Sequence, residues 1–243
     1  MTWLAWRQFR SQLAVASGLL ALLAIYVLST GPHIAHVFAA TALACHETCN
    51  PVNTGAANLT KLIPEFNDLV QLTPVLIGMF FGAPLVTREM ESGSVQLFLT
   101  QSISRARWLG SKILVVALGS VVVGGLTSLM VTWWASPWDH YNHLPFGTFD
   151  LRDIVPVAYS VFAFALGVFV GVLLRHTIAA MAVTLVLFGA TLGAFGQWVR
   201  PHLSGYDVDS RYWTLQWTES FIFIAFALIL GFGAVWLFRR RSE

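Results

Sequence analysis

Cys45 and Cys49, with His46 between them and His33 and His36 upstream, are the side chains best suited to hold a metal or change redox state. The run Cys-His-Glu-Thr-Cys matches no standard zinc spacing, and no second cysteine pair completes a site. On an extracytoplasmic face a local disulfide is expected instead, because one helical turn sets residues four apart at a Cα separation of about 6 Å. Two free thiols, or a metal site after all, are the alternative readings. His46-Glu47-Thr48-Cys49 is not the His-Glu-x-x-His of a zinc protease. The chain also lacks a Gly-x-x-x-x-Gly-Lys-Ser/Thr phosphate loop and a Gly-x-Ser-x-Gly nucleophile elbow. No catalytic activity of its own is expected, and no cofactor or metal.

A second stretch is polar without being catalytic. Arg88, Glu89 and Glu91 lead into Ser92-Gly93-Ser94, where glycine permits a sharp change of direction. Beyond this break Val95, Phe98, Leu99 and Ile103 recur at i, i+3, i+4 and i+8, one face of a helix. Such a face suits docking into a groove of another protein. Resting on lipid headgroups is the other reading, and spacing alone does not separate the two.

The elements that must carry these groups are six apolar runs: Leu13–Thr30, Leu69–Thr87, Ile113–Trp134, Ile154–Leu174, Ile178–Trp198 and Ser220–Phe238. Each is close to the roughly 20 residues that a helix needs to cross about 30 Å of hydrocarbon. None contains Asp, Glu, Lys, Arg or His; Gln71, Thr73, Ser160, Thr184 and Gln197 are among their few polar groups. Hydrophobic residues make up 56% and charged residues 11% of the chain, outside the range of soluble globular domains. The expected fold is all-α, one membrane domain over residues 1–243.

Orientation follows from charge. Sorting the loops alternately puts Arg7, Arg10, Arg88, Arg105, Arg107, Lys112, Arg175, Arg239, Arg240 and Arg241 on one side, against Lys61, Arg152, Arg200 and Arg211 on the other. By the positive-inside rule the first side, with both termini, is cytoplasmic. Trp3, Trp6, Phe9 and Leu13 share an arc that suggests a short N-terminal helix in the inner interface. A cleaved signal peptide is the rival reading of this region. Tyr206, Tyr212, Trp213 and Trp217 read as an interfacial aromatic belt. Gly78/Gly82, Gly167/Gly171 and Gly189/Gly193 are small-xxx-small pairs, suited to close helix packing within the chain or between subunits. Pro74, Pro84 and Pro156 are candidate bends. Ion-coupled carriers usually place ionisable groups inside the bilayer. Spans without them imply energy drawn from a partner.

Residues 87–94, Thr-Arg-Glu-Met-Glu-Ser-Gly-Ser, and 99–109, Leu-Thr-Gln-Ser-Ile-Ser-Arg-Ala-Arg-Trp-Leu, resemble bacterial ABC transporter permeases of the ABC-2 type. The N-terminal Trp-x-x-Trp-Arg-Gln, the Arg-Tyr-Trp-Thr-Leu-Gln-Trp-Thr-Glu before the last span, and the Arg-rich tail extend the resemblance. The compact segment before the last span departs from the pattern, and is expected to narrow an outer gate. The resemblance implies an exporter permease in the bacterial plasma membrane, paired with a second permease subunit as a homodimer and served by two cytosolic ATPase subunits that hold ATP and Mg²⁺. It also implies that Glu89, Glu91, Ser92 and Gly93 lie in or beside a short cytosolic coupling helix between spans two and three. Lipids are the other expected partner, and nucleic acid is not. A non-transport assembly or immunity subunit on the same scaffold is the alternative.

Overall fold

A helix satisfies all its backbone N–H and C=O groups within its own segment, so a chain this apolar folds as helices. The computed structural model describes residues 2–44, 59–91, 105–139, 149–204 and 211–240. Among them lie α1 (Thr2–Ala44), α2 (Leu59–Ile77), α3 (Pro84–Glu91), α4 (Arg105–Asp139), α5 (Val155–Leu174), α6 (Thr177–Ala194), α7 (Arg200–Ser204) and α8 (Tyr212–Arg240). Two π-helical turns, Gly78–Gly82 and Phe195–Val199, join α2 to α3 and α6 to α7. Six of the resulting helical stretches are long and apolar enough to cross a membrane.

The helices outrun the apolar cores that announce them. Residues 2–44 form one helix, so the stretch expected as a separate interfacial helix runs directly into the first span. Pro32 sits inside this helix. It cannot donate the bond that a helical N–H would give to Leu28. One turn earlier, the hydroxyls of Ser29 and Thr30 donate to the Tyr26 carbonyl at 2.9 and 2.7 Å. Cys45, Cys49 and the segment from Ser92 to Ser104 lie outside the described residues.

Helix α5 is the axis of the bundle: 72% of its apolar window is buried, against 22–61% for the other five spans. It packs against α8, α4, α6 and every part of span two. Hydrophobicity cannot drive helices together in lipid, so packing and short contacts must. Aromatic rings supply much of it. Phe66 of span two stacks on Tyr26 of span one at 5.2 Å and meets Trp134 of span three at 4.2 Å. On the other flank Phe223 meets Tyr159, Phe162 and Phe195 at 4.7–5.2 Å, tying spans four, five and six.

The closest approach is between backbones. Gly78 and Gly82, in the π-turn, face the carbonyls of Ala163 and Phe164, where an added Cβ would come within 2.7 and 2.5 Å. Gly167 and Gly171 face the same turn from α5, against the carbonyls of Gly78 and Ala83. Two of the three glycine pairs therefore pack on each other inside the chain. The third does not: a Cβ at Gly189 or Gly193 meets nothing within 4 Å. Of the candidate proline bends, Pro156 is the second residue of α5, a position where a missing N–H costs little. Pro84 follows the π-turn and Pro74 lies within α2.

Substituting Gly167→Ala should force the π-turn and α5 apart, costing about 1–3 kcal/mol as overpacking does. Gly189→Ala and Gly193→Ala should stay within about 0.5 kcal/mol of the parent. Thermal unfolding of the three purified variants in one detergent, followed by circular dichroism, checks the contrast. Equal melting of all three would contradict the packing.

Candidate functional site

Two polar constellations stand at opposite ends of the bundle. The first is at the basic end, the one that carries Arg88, Lys112, Arg239 and Arg240. There α3 continues span two beyond its last buried residues to Glu91, directly before the segment 92–104. The chain reverses between α5 and α6 through Arg175, left-handed at φ 60°, and the extended residue His176. This leaves the first N–H of α6, on Thr177, pointing out of the helix without an intrahelical acceptor. Glu91 accepts it: Thr177 N donates to Oε1 and Thr177 Oγ1 to Oε2, both at 2.8 Å. A carboxylate at a helix N-terminus also meets the favourable end of the helix dipole. Thr87, one turn back on α3, shares its hydroxyl proton between the Ala83 carbonyl at 2.9 Å and Thr177 Oγ1 at 2.8 Å. His176 Nδ1 stands 3.7 Å from Glu91. Spans two and five are thus fastened together where the chain leaves span two.

Of the residues expected to couple the chain to a partner, Glu91 is the one among the described residues that makes a hydrogen bond to another span. Arg88 is exposed on α3. Glu89 is helical, and the positions from Ser92 through Ile103 fall outside the described residues.

The second constellation was not expected. The described helices correct the reading of spans devoid of ionisable groups: Glu219 lies inside the sixth span and is only 2% exposed, and Arg200 lies inside the fifth. The discrepancy is one of boundaries. The apolar run begins at Ser220, but α8 begins at Tyr212, two turns earlier. Tyr212, Leu215, Gln216, Glu219, Ser220 and Phe223 form its buried stripe at i, i+3, i+4, i+7, i+8 and i+11. That stripe was the available signal. Tyr212 consequently belongs to the core and not to an aromatic belt, while Trp198, Trp213 and Trp217 are exposed.

Charge at this depth must be paired. Arg200 binds Asp150 with both terminal nitrogens, Nη1 to Oδ2 at 3.0 Å and Nη2 to Oδ1 at 2.5 Å, the bidentate geometry that a guanidinium favours. Nη2 also donates to Glu219 Oε1 at 2.8 Å, and Tyr159 of α5 donates its hydroxyl to the same oxygen. The Phe149 ring lies under the guanidinium, its centroid 5.3 Å away. Beside this group the Gln216 carbonyl oxygen accepts the N–H of Ile154 and of Val155, at 3.3 and 3.1 Å, and so caps α5 from α8. Tyr212 donates to Asp153 at 2.5 Å and accepts from Arg152 Nε at 3.2 Å. Against Asp150 lies a cavity of about 10 Å³ lined in part by Thr73, Thr127 and Ser160, the size of one water. Thr73 Oγ1 is buried there without a partner.

Among the described residues, no three His, Cys, Asp or Glu side chains gather where they could hold a metal. Both constellations fasten helix ends, one at each mouth of the bundle. Fold and sites together define a multi-pass helical membrane protein whose buried polar groups link its spans. The chain belongs to the ABC-2 membrane transporter related family, whose model matches residues 17–200. It is accordingly a membrane subunit of the ABC transporter type, and such subunits generally work with ATPase partners. No curated protein and no solved structure matches the chain.

Removing one member of the buried group should cost more than removing the pair. Arg200→Gln leaves both Glu219 and Asp150 uncompensated and is expected to lose about 3–5 kcal/mol, the usual penalty for breaking a buried ion pair. Adding Glu219→Gln should recover part of it, because the more exposed Asp150 stays unpaired. Urea or thermal unfolding of the single and double variants measures the coupling, and strict additivity would sink the assignment. At the basic end, the hydrogen bonds from Thr177, the backbone N–H first, hold the Glu91 carboxyl below its ordinary pKa of 4.5. A depressed carboxylate adds stability that is complete above 4.5 and is lost only as the pH falls through the lower folded value. The Thr177 amide should therefore keep its Glu91-bonded NMR shift from neutral pH down to about 4.5, then lose it in more acid solution. Glu91→Gln should flatten that transition.

Proposed function

We propose that this chain is the transmembrane permease of an ATP-driven exporter in the bacterial plasma membrane. Two copies form the translocation path, and two cytosolic ATPase subunits, which carry the ATP and Mg²⁺, drive it. The basic end faces the cytoplasm with both termini, as the distribution of Lys and Arg directs. One observation carries the coupling: the last helical residue before the segment 92–104, Glu91, is bonded to the first residue of span five. Force applied to that segment passes into span two through α3 and into span five through Thr177. Both spans pack on α5, so two of its neighbours move together.

The docking face is Val95, Phe98, Leu99 and Ile103, with Ser92 and Gly93 as the break before it and Arg88, Glu89 and Glu91 as its charged approach. Apolar contact dominates the expected energetics. Burying a Phe or Leu side chain contributes roughly 1.5–3 kcal/mol, whereas an exposed ion pair contributes about 0–1 kcal/mol. A second permease fits against α6, whose buried residues form a single row of Ala180, Thr184 and Phe188 and whose Gly189 and Gly193 meet no neighbour. Cys45 and Cys49 are assigned a local disulfide on the outer face.

A Phe98→Ala, Leu99→Ala double variant, co-expressed with the ATPase subunit, should lose most of the co-purifying ATPase while keeping the parental melting temperature. A cysteine placed at Ser94, after replacement of the native pair, should react with an impermeant maleimide only in inverted vesicles. Normal ATPase recovery from the double variant, or labelling at residue 94 on intact cells, would overturn the reading.

A further inference from the structure

Spans three, four and six leave a groove of about 260 Å³ between them, with almost wholly apolar walls. Gly110 and Ile113 line one wall, Val168 the floor, and Leu228, Gly231 and Phe232 the other wall. The groove extends along α8 from Ile224 to Val235, about 16 Å at 1.5 Å per residue. Half of a hydrocarbon layer of about 30 Å has nearly the same depth. The groove thus occupies one leaflet and is open along its side.

Its chemistry changes at the basic end. Arg239 falls one turn beyond Val235 on the same stripe of α8. Arg240 follows, its guanidinium over the Trp236 ring with the centroid at 4.5 Å. Trp236 is 55% exposed, as suits an aromatic residue at the headgroup level. An apolar channel one leaflet deep that ends at Arg239, with Arg240 beside it, fits an amphiphile with one long chain in the channel and an anion at its head.

We propose that this groove binds one anionic phospholipid of the leaflet at the basic end, an acyl chain lying between spans three, four and six and the phosphate meeting Arg239 and Arg240. The assignment does not depend on the exporter reading, because it requires only the membrane-spanning bundle and its charge distribution. The lipid fills the groove between spans three and six, over the buried Phe164, Ala165 and Val168 of α5. It also fixes the depth of the bundle by its head.

The test uses the full chain, delipidated in detergent and titrated with phosphatidylglycerol or phosphatidylcholine, with bound lipid counted by native mass spectrometry. One phosphatidylglycerol per chain should be retained, at a concentration several-fold below that needed for phosphatidylcholine. Gly231→Leu fills the groove from a position where an added Cβ meets no neighbour, so the bundle keeps its packing. This variant should reduce the adduct at least five-fold with no change in melting temperature before lipid is added. Arg239→Gln with Arg240→Gln should retain lipid but lose the preference for the anionic head. Equal retention of the two lipids by the parent, or an undiminished adduct in Gly231→Leu, would overturn the proposal. So would a disulfide between two copies through a cysteine at Leu228, which would place a second chain in the groove.

Discussion

The backbone contact between spans two and four sets the spacing of everything else. Gly78 and Gly82 on one side and Gly167 and Gly171 on the other leave no room for a side chain at the crossing. Helices in lipid gain nothing from hiding apolar surface from an apolar solvent, so dispersion and short polar contacts must hold them. Four glycines at one crossing maximise such contact. With span two seated this closely, α5 is enclosed on that flank, and Phe164, Val168 and Val172 are buried together with Ile77, Phe81 and Val86 of span two. Spans three, five and six then complete the ring around α5.

The ends of the bundle obey a different constraint. Where backbone leaves a helix near or within the membrane, unpaired N–H groups need acceptors that water does not reliably supply. At the start of α5 the acceptor is the side chain of Gln216; at the start of α6 it is the carboxylate of Glu91. Each comes from a different span, so each helix start also becomes a joint. Arg200 extends the principle to charge, since Asp150 and Glu219 reach it from separate elements and only the folded bundle brings them together. A bundle tied at both mouths and packed most closely in its centre is stiff along its axis.

The sequence was most informative where uniform apolarity leaves no choice. The fourth span was expected at Ile154–Leu174 and occupies Val155–Leu174. Legibility failed at boundaries, because hydropathy marks the depth of lipid and not the length of helix. Gly31–Ala44, with Pro32, His33 and His36, lies beyond the apolar run that ends at Thr30, yet it prolongs α1. Arg211–Glu219 reads as an interfacial connection, yet it holds the first turns of α8 and a buried carboxylate. The glycine pairs were visible as candidates, but no spacing rule states which pair meets which. The tie from Glu91 to Thr177 joins positions 86 residues apart and leaves no local periodic trace. The π-turns were equally hidden, since one added residue scarcely alters an apolar pattern.

That added residue has a geometric consequence. An α-helix advances about 100° per residue, and the π-turn at Gly78–Gly82, closed by the bond from Ala83 N to the Gly78 carbonyl at 3.0 Å, absorbs one residue without advancing the helix by a full step. All residues beyond it are phased about 100° away from the line that an uninterrupted helix would follow. Thr87 and Glu91 face Thr177 on that shifted phase. In a regular helix the glycines could still face α5, but the carboxylate would point roughly a quarter-turn or more away from the start of span five. The turn therefore acts as a rotational offset between two halves of one span, indexing the central crossing and the basic end independently.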